Sequence, residues 1–265
     1  MLKVNQENCV NCGICTRICP SGIIKNGENG PQMLLPQACI ACGHCVAICP
    51  QAALDNDNTP MNKQVDLEKF PVIDPRTAAI FMRSRRSTRS YRKEQVKKET
   101  LLELLNIARF APSAANSQGL SYIVYENPEL LKGITKVTVD WLEEMTQKGL
   151  RNYKGLVNTY RKTGKDVVLR GAPQLIVATA PGNLPNGRDN GHFSLTYLEL
   201  YATALGLGTC WAGFVEGCAQ AGYQPLIELL NLPEDRKVAG AVMVGYPEYT
   251  FKRLVDKNPL NVTWR

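Results

Sequence analysis

The sequence has 265 residues, of which 44% are hydrophobic, and its formal net charge is +7. A chain of this length forms one substantial core with room for a small additional domain. Its polar start, MLKVNQEN, is unlike a secretory signal peptide, and no apolar run is long enough to span a bilayer. We therefore expect a cytoplasmic protein with no membrane partner.

The net positive charge comes from the part of the chain after residue 57. Residues 1–57 contain three basic and four acidic side chains, a balance of −1, so the remainder carries +8. A basic segment suits nucleic acid, an anionic cofactor or an acidic partner, and charge alone leaves these three open.

Eight of the ten cysteines form two copies of one pattern, C-x2-C-x2-C-x3-C-P. The copies are offset by 30 residues at every position, which indicates an internal duplication. Eight thiolates at this spacing fit two [4Fe–4S] clusters. Zinc also binds C-x2-C pairs, but it needs only four ligands per site and gives no reason for eight cysteines and two Cys-Pro steps.

In this pattern the first three cysteines of a copy bind one cluster, and the fourth belongs to the cluster of the other copy. The first cluster is therefore expected to be held by Cys9, Cys12, Cys15 and Cys49. The second cluster is expected to be held by Cys39, Cys42, Cys45 and Cys19. The repeat thus predicts an electron-transfer domain over residues 1–57.

A proline-containing linker is predicted over 58–75, and alternating helices and strands follow it. Apolar periodicity predicts helices over 76–84, 98–110, 128–148, 190–206 and 225–231. Short apolar runs predict buried strands over 121–125, 174–180 and 238–245. Few strands separated by long helices favour an α+β fold over a β-sandwich.

A basic run over residues 82–91 reads MRSRRSTRSY. Guanidinium groups bind phosphate through paired hydrogen bonds, and the interleaved hydroxyls add neutral ones. The run therefore suits a nucleotide phosphate, a nucleic acid backbone or simply a solvated basic surface. No nucleic-acid-binding motif accompanies it, so we expect no nucleic-acid partner.

This run and three later segments resemble the FMN-dependent nitroreductase family over roughly residues 76–265. The later segments are APSAANSQ at 111–118, LGLGTCWAG at 205–213, and a tail with GYP at 245–247 and FKRLVDKNPL at 251–260. Together with the cysteine repeat, the whole chain resembles a ferredoxin–nitroreductase fusion. The resemblance implies a small bacterial-type 2[4Fe–4S] ferredoxin domain over 1–57. It also implies an FMN-binding domain over 76–265, built on a helix-flanked mixed sheet.

The resemblance also implies a set of FMN contacts. The basic run would hold the FMN phosphate and part of the ring through Arg85, Arg86, Ser87 and Arg89. The loop over 111–118 would reach the flavin of the partner subunit through Pro112, Ser113, Ala114, Asn116 and Gln118. Near the reactive edge of the ring would lie Trp211, Ala212 and Gly213, and the tail would return to the phosphate through Arg253 and Lys257. From the residues alone, the segment over 205–213 is also a helix stop before a buried strand, and the tail is equally a solvated surface.

A flavin converts single electrons into hydride chemistry. The chain is therefore predicted to pass electrons from the clusters to FMN and to reduce a nitroaromatic or quinone-like acceptor, with catalysis centred on the flavin and no nucleophilic side chain. The resemblance implies a homodimer with FMN at its interface, and NAD(P)H or a redox protein as donor. Two alternatives stay open: a flavin, enone or halogenated acceptor for the same cofactors, and a non-enzymatic electron carrier or redox sensor.

Overall fold

The computed structural model describes residues 1–67 and 70–265, and the chain divides into two compact units. The first unit contains Met1–Val72 together with Ala115–Ser117. The second unit contains Ile73–Ala114 and Gln118–Arg265.

The boundary between the two units falls inside the predicted linker over 58–75. A 3-10 turn, Met61–Lys63, lies within that segment. Two of its residues, Glu68 and Lys69, lie outside the described residues. The predicted domain limits, 1–57 and 76–265, stay predictions.

The internal repeat builds the first unit from two short halves. Each cysteine loop leads into a short helix, α1 (Ile14–Ile18) in the first half and α2 (His44–Ala47) in the second. The residue before each helix is a glycine, Gly13 or Gly43, and both have a φ of 72°. This left-handed conformation favours glycine because a Cβ atom makes it costly.

The described part of the first unit also has four short strands: β1 (Leu2–Val4), β2 (Ile24–Gly27), β3 (Gly30–Met33) and β4 (Leu54–Asn56). β1 pairs antiparallel with β4, which places Leu2 opposite Asn56. β2 and β3 form an antiparallel hairpin. The small core beneath them consists of Cys15, Ile23, Ile24, Cys45, Val46 and Leu54.

The second unit contains every helix and strand predicted for it, each within three residues of its predicted limits. Its helices are α3 (Pro75–Ser84), α4 (Lys98–Ala108), α5 (Pro128–Gln147), α6 (Lys154–Thr163), α7 (Gly187–Ala204), α8 (Gly213–Gln220) and α9 (Gln224–Leu230). Its strands are β5 (Ser121–Tyr125), β6 (Gln174–Pro181), β7 (Gly208–Trp211) and β8 (Arg236–Gly245). Within the described ranges, no helix combines the length and apolar character needed to cross a membrane.

The four strands of the second unit form one sheet in the order β5-β6-β8-β7, and each neighbouring pair is antiparallel. A parallel bridge between Ser87 and Thr209 brings the middle of the basic run to the β7 edge, so both antiparallel and parallel pairings occur at this sheet. The amide of Thr88 strengthens this pairing by donating a 2.8 Å hydrogen bond to the Thr209 carbonyl. The prediction of an α+β fold with a helix-flanked mixed sheet is confirmed.

Helices cover both faces of this sheet. Along β6 the side chains alternate: Leu175 and Val177 join the core under α5, α8 and α9, while Ile176 and Ala178 join the core under α4 and α7. Strands buried on both faces read as continuous apolar runs, which is why β6 and β8 are visible in the sequence.

Helix α7 packs closely against β8. A Cβ atom on Gly191 would stand 2.5 Å from the Ala239 carbonyl oxygen, so only glycine fits at this contact. On the opposite side of the helix, Phe193 and Tyr197 are 52% and 42% exposed. These two aromatic side chains therefore face outward in the single chain.

Candidate functional site

Four cysteines line each of two cavities in the first unit. The first cysteine cavity contains Cys9, Cys12, Cys15 and Cys49. The second cysteine cavity contains Cys39, Cys42, Cys45 and Cys19. The structure thus brings the eight cysteines together in the two predicted groups, each with one member from the other repeat.

The described cysteines of the two cavities do not form a single-ion site. Among residues 1–67 and 70–265, no three His, Cys, Asp or Glu side chains stand close enough to hold one metal ion. An N–H donor also points at a sulfur in each cavity: the Ala53 amide lies 3.3 Å from Cys49 Sγ, and Asn56 Nδ2 lies 4.0 Å from Cys39 Sγ. Four thiols among apolar side chains, with N–H donors nearby, fit an iron–sulfur cluster.

The basic run borders an open cleft in the second unit, which we call the basic cleft. Its lining comes from two distant segments and consists of Met82, Arg83, Arg85, Arg86, Ser87, Arg89, Val255, Asp256 and Lys257. Five of these side chains are basic and one is acidic. Helix α3 ends at Ser84 and Arg85 is extended, so the run unwinds beside β7. The arrangement fits a phosphate group, because several guanidinium groups and a hydroxyl converge on one space.

A buried acid orients Arg85. Its Nη1 atom lies 3.5 Å from Oε1 of Glu199 on α7, and the same oxygen accepts a 3.0 Å hydrogen bond from Thr209 Oγ1. Burial raises the pKa of Glu199, although the Arg85 charge and the Thr209 hydroxyl oppose that rise. The Arg85 side chain is still 32% exposed, so it retains N–H groups that can face the cleft.

The loop over 111–118 has an unusual backbone. Ala115, Asn116 and Gln118 have φ values of 49°, 53° and 53°. Holding a residue other than glycine in this left-handed conformation costs on the order of 1–3 kcal/mol. Contacts within the loop hold this conformation, since the Gln118 amide donates to Ser113 Oγ at 3.1 Å. Strain of this kind often marks a functional segment.

One part of the loop is fixed to the second unit. The Ala114 amide donates to Asn190 Oδ1 on α7 at 3.0 Å. Pro112, Ser113 and Gln118 line a small cavity beside Asn190. These predicted flavin contacts therefore lie together on one side of α7.

The middle of the loop belongs to the first unit. Asn116 donates from Nδ2 to the carbonyl oxygens of Ile40 and Ala41, both at 2.9 Å. Ile40 and Ala41 lie between two cysteines of the second cysteine cavity. The amide nitrogen of Asn116, predicted as an FMN contact, is thus committed to the cysteine loop, which leaves its side-chain oxygen for other partners.

The segment Trp211–Gly213 connects β7 to α8. Trp211 Nε1 donates a 2.6 Å hydrogen bond to Oε2 of Glu216, and the Ala212 amide donates to the Ala241 carbonyl at 2.8 Å. Gly213 is exposed at the first position of α8. The indole is therefore fixed while the backbone beside it stays accessible.

Glu216 also binds two side chains from α7. Its Oε1 atom accepts hydrogen bonds from Arg188 Nε and His192 Nε2, both at 2.9 Å, and the His192 ring packs edge-on against Trp211 at 4.8 Å. Burial raises the pKa of Glu216, but the hydrogen bonds from His192, Arg188 and Trp211 outweigh burial and hold the pKa below its usual value. The carboxylate is thus kept ionised inside the protein.

The structure brings most of the predicted phosphate contacts together, but not all. Arg85, Arg86, Ser87, Arg89 and Lys257 line the basic cleft, whereas Arg253 is exposed and does not line it. Sequence reasoning missed Glu199 and Glu216, because an isolated acid on a helix forms no motif. The available signal was position: each is an acidic residue among apolar neighbours on the buried side of its helix.

A model of the nitroreductase family matches residues 82–246, more than half of the chain. The chain belongs to the nitroreductase family. A second family model, described as a 4Fe-4S dicluster domain, matches residues 8–54.

Individual relatives agree with this assignment. An iodotyrosine deiodinase of Thermotoga neapolitana is 25% identical over 63% of this chain and 86% of its own length. A putative NADH dehydrogenase/NAD(P)H nitroreductase of Archaeoglobus fulgidus is 25% identical over 62% of this chain and 82% of its own length. Among solved structures, an FMN-bound nitroreductase from Bacteroides fragilis has the same fold, with a TM-score of 0.57 and 18% identity over 70% of this chain and 98% of that one.

This member of the nitroreductase family is therefore an oxidoreductase with a nitroreductase fold and an N-terminal 4Fe-4S domain. Membership in the family confirms the prediction of an enzyme.

Proposed function

We propose that this chain is a reductase that takes single electrons into two [4Fe–4S] clusters, passes them to FMN, and reduces a small nitroaromatic or quinone-like acceptor. The observation that carries the proposal is the presence in one chain of two four-cysteine cavities and a cleft with five basic side chains. FMN, when bound, exchanges electrons singly and transfers two of them together as a hydride.

The eight cysteines are proposed as the cluster ligands, in the two groups that line the cavities. Both cavities lie within the first unit, whose own core is small. Thiolate–metal bonds then stabilise this unit directly. Its role is to collect electrons close to the surface, since Cys12 of the first cysteine cavity is exposed.

The basic cleft is proposed to bind the FMN phosphate. Arg85, Arg86 and Arg89 would form charge-assisted hydrogen bonds to it, with Ser87 as a neutral donor and Lys257 closing the site from the tail. Glu199 would keep the Arg85 guanidinium in place, because a buried carboxylate fixes one side of that group. Because Arg85 is already ordered before FMN binds, binding loses less side-chain conformational entropy.

The proposed position of the flavin ring is beside Trp211–Gly213, with the loop over 112–118 contributed by the partner subunit. Exposed backbone at Gly213 lets a planar ligand approach closely. No side chain of the chain needs to act as a nucleophile. The residues bind, orient and exclude water around the ring.

The functional form is proposed to be a homodimer. Phe193 and Tyr197 expose large aromatic groups on α7, and the tail exposes Phe251 and Trp264 at 59% and 90%. Apolar side chains of this size at the surface indicate a protein interface. A second copy of the chain would cover them and complete the flavin site with its own loop over 112–118.

The identity of the acceptor is open to a specific alternative. The relative in Thermotoga neapolitana is named an iodotyrosine deiodinase, so reductive deiodination of a halogenated aromatic acceptor is the second candidate. NAD(P)H and a reduced redox protein are the two candidate donors.

Anaerobic purification tests the proposal directly. We expect one FMN and about eight irons per chain. Reduction with NADH, NADPH or a reduced ferredoxin, followed separately at flavin and cluster absorbance, identifies the donor. Turnover with a nitroaromatic compound, a quinone and 3-iodo-L-tyrosine identifies the acceptor. Protein with full iron that neither contains nor rebinds flavin would contradict the proposal.

The phosphate site has its own test. Arg85→Ala combined with Arg89→Ala should release FMN and leave the cluster spectrum unchanged. Arg151→Ala is the matched control, since Arg151 also lies in the second unit but does not line the basic cleft. Equal flavin content in all three proteins would show that the cleft does not hold the phosphate.

A further inference from the structure

The internal repeat places two asparagines at equivalent positions, Asn26 and Asn56, 30 residues apart. Their surroundings differ. Asn56 is buried, with 2% of its surface exposed, whereas Asn26 is exposed. The two halves of the repeat are therefore not equivalent around their cavities.

Asn56 faces the second cysteine cavity. It lines that cavity, and its Nδ2 atom lies 4.0 Å from Cys39 Sγ. The rest of the side chain is held in place, because Oδ1 accepts a 3.0 Å hydrogen bond from the Asn58 amide and the backbone pairs with Leu2. The amide group thus presents its N–H bonds to the sulfur with little freedom to turn away.

Asn26 has no such role in the first cysteine cavity. It does not line that cavity, and its Nδ2 atom packs beside Gly13, where an added Cβ atom would stand 3.0 Å away. The sulfur of Cys49 in this cavity instead accepts a backbone hydrogen bond from Ala53. The hydrogen-bond donor in the first cavity is therefore a backbone amide, whereas the donor in the second cavity is a side chain that can be replaced by mutation.

We propose that Asn56 is a positioning residue that donates a hydrogen bond to the Cys39 thiolate and raises the reduction potential of the cluster in the second cysteine cavity. This inference rests on the proposed function, in which both cavities hold clusters. The step concerned is the addition of one electron to that cluster, with no proton transferred and no bond broken. Reduction makes the cluster and its thiolates more negative, so an N–H donor stabilises the reduced form more than the oxidised form.

The location of this donor has a consequence for electron flow within the first unit. The second cysteine cavity is the one whose loop carries Ile40 and Ala41, the two acceptors of Asn116. A raised potential there holds an electron at the loop that Asn116 contacts. Although the cysteine pattern of the two repeats is the same, the electron then favours the second cysteine cavity over the first.

Asn56→Leu removes the donor without adding charge, and Asn26→Leu is the matched control. The full-length protein is purified anaerobically, its iron is measured, and both clusters are titrated with dithionite under EPR detection. We expect Asn56→Leu to lower the equilibrium constant for reduction of one cluster about tenfold, which lowers its midpoint potential by about 59 mV for a one-electron couple. Asn26→Leu should leave both midpoints unchanged. An Asn56→Leu protein with full iron and wild-type midpoints would overturn the inference.

A second pair of variants covers the case in which Asn56→Leu does not retain its clusters. Asn56→Asp keeps an oxygen for the Asn58 amide, and Asn26→Asp adds the same charge at the equivalent position. We expect Asn56→Asp to shift one midpoint further downward than Asn26→Asp, because only the former also loses a donor. Equal shifts would overturn the inference. Wild-type protein with well below eight irons would instead contradict the proposed function itself.

Discussion

The indole N–H of Trp211 donates a 2.6 Å hydrogen bond to the Glu216 carboxylate, which also accepts bonds from Arg188 and His192. The Glu216 side chain is 5% exposed, and a buried carboxylate is stable only when donors satisfy it. Trp211 is thus held by an interaction that the protein cannot easily give up. Trp211, which is predicted to lie beside the flavin, is therefore fixed by the buried Glu216 carboxylate, a residue that the sequence analysis does not identify.

Replacing Trp211 with phenylalanine keeps an aromatic ring and removes the N–H. We expect Trp211→Phe to lower the free energy of unfolding by about 1–3 kcal/mol, because a buried carboxylate oxygen loses a donor. We also expect faster loss of FMN. Trp264→Phe is the control, since Trp264 is 90% exposed. Thermal unfolding and flavin content measure the two effects, and equal values for both variants would contradict the role given to Glu216.

The pKa of Glu216 is lowered in the folded protein, and that of Glu199 is raised. A lowered carboxyl pKa stabilises the fold above the unfolded pKa of about 4.3 and loses this contribution as the pH falls through the folded pKa. The stability gap between wild type and Glu216→Gln should therefore shrink between pH 7 and pH values below about 4.3.

Glu199→Gln should show the opposite trend. Because the folded pKa of Glu199 is raised, ionisation of this group costs stability as the pH rises above about 4.3 toward the folded pKa. Wild type should therefore lose stability relative to Glu199→Gln over that interval. Melting temperatures of the three proteins across the pH series measure both trends, and parallel curves would contradict the two opposite shifts.

The grouping of cysteines predicts which thiols are released when one ligand is removed. Cys19→Ala should cost about four of eight irons and expose the thiols of Cys39, Cys42 and Cys45 to alkylation. Cys49→Ala, its counterpart in the repeat, should expose those of Cys9, Cys12 and Cys15. Mass spectrometry of the alkylated peptides identifies the released set. Release of thiols from the mutated repeat would show that the fourth ligand is not exchanged between the repeats.

Two glycines in helices predict stability changes of opposite sign. Gly191→Ala would place a Cβ atom 2.5 Å from the Ala239 carbonyl oxygen, so we expect a loss of about 1–3 kcal/mol from overpacking. Gly155 on α6 has no atom within 4 Å of such a Cβ, so Gly155→Ala should stabilise the helix by up to about 1 kcal/mol. Denaturant midpoints compare the two variants, and stabilisation by Gly191→Ala would contradict the close contact between α7 and β8.

Much of the second unit is predictable from sequence, because its buried strands and long helices carry strong apolar patterns. β5 (Ser121–Tyr125) lies at its predicted limits. By contrast, α6 (Lys154–Thr163) contains few apolar residues and buries only Val157, and α8 contains two glycines that lower its helix propensity. The strands of the first unit have three or four residues each, too few to show alternation.

The candidate site divides in the same way. The cysteines and the arginines of the basic run are recognisable because their chemistry depends on residue type and spacing. Glu199, Glu216 and Asn56 act through contacts with residues on other elements of the fold, and no sequence spacing indicates such contacts. These residues become visible only when the fold brings α7, α8 and β4 next to their partners.

The basic cleft takes one wall from residues 82–89 and another from residues 255–257. Both cysteine cavities, in contrast, are complete at residue 56. Domains fold as they leave the ribosome at roughly 5–20 residues per second, so about 10–40 s of translation separate the two events. Under the proposed function, the nascent chain therefore completes the lining of both cysteine cavities before the segment over 255–257 can complete the cleft proposed for the FMN phosphate.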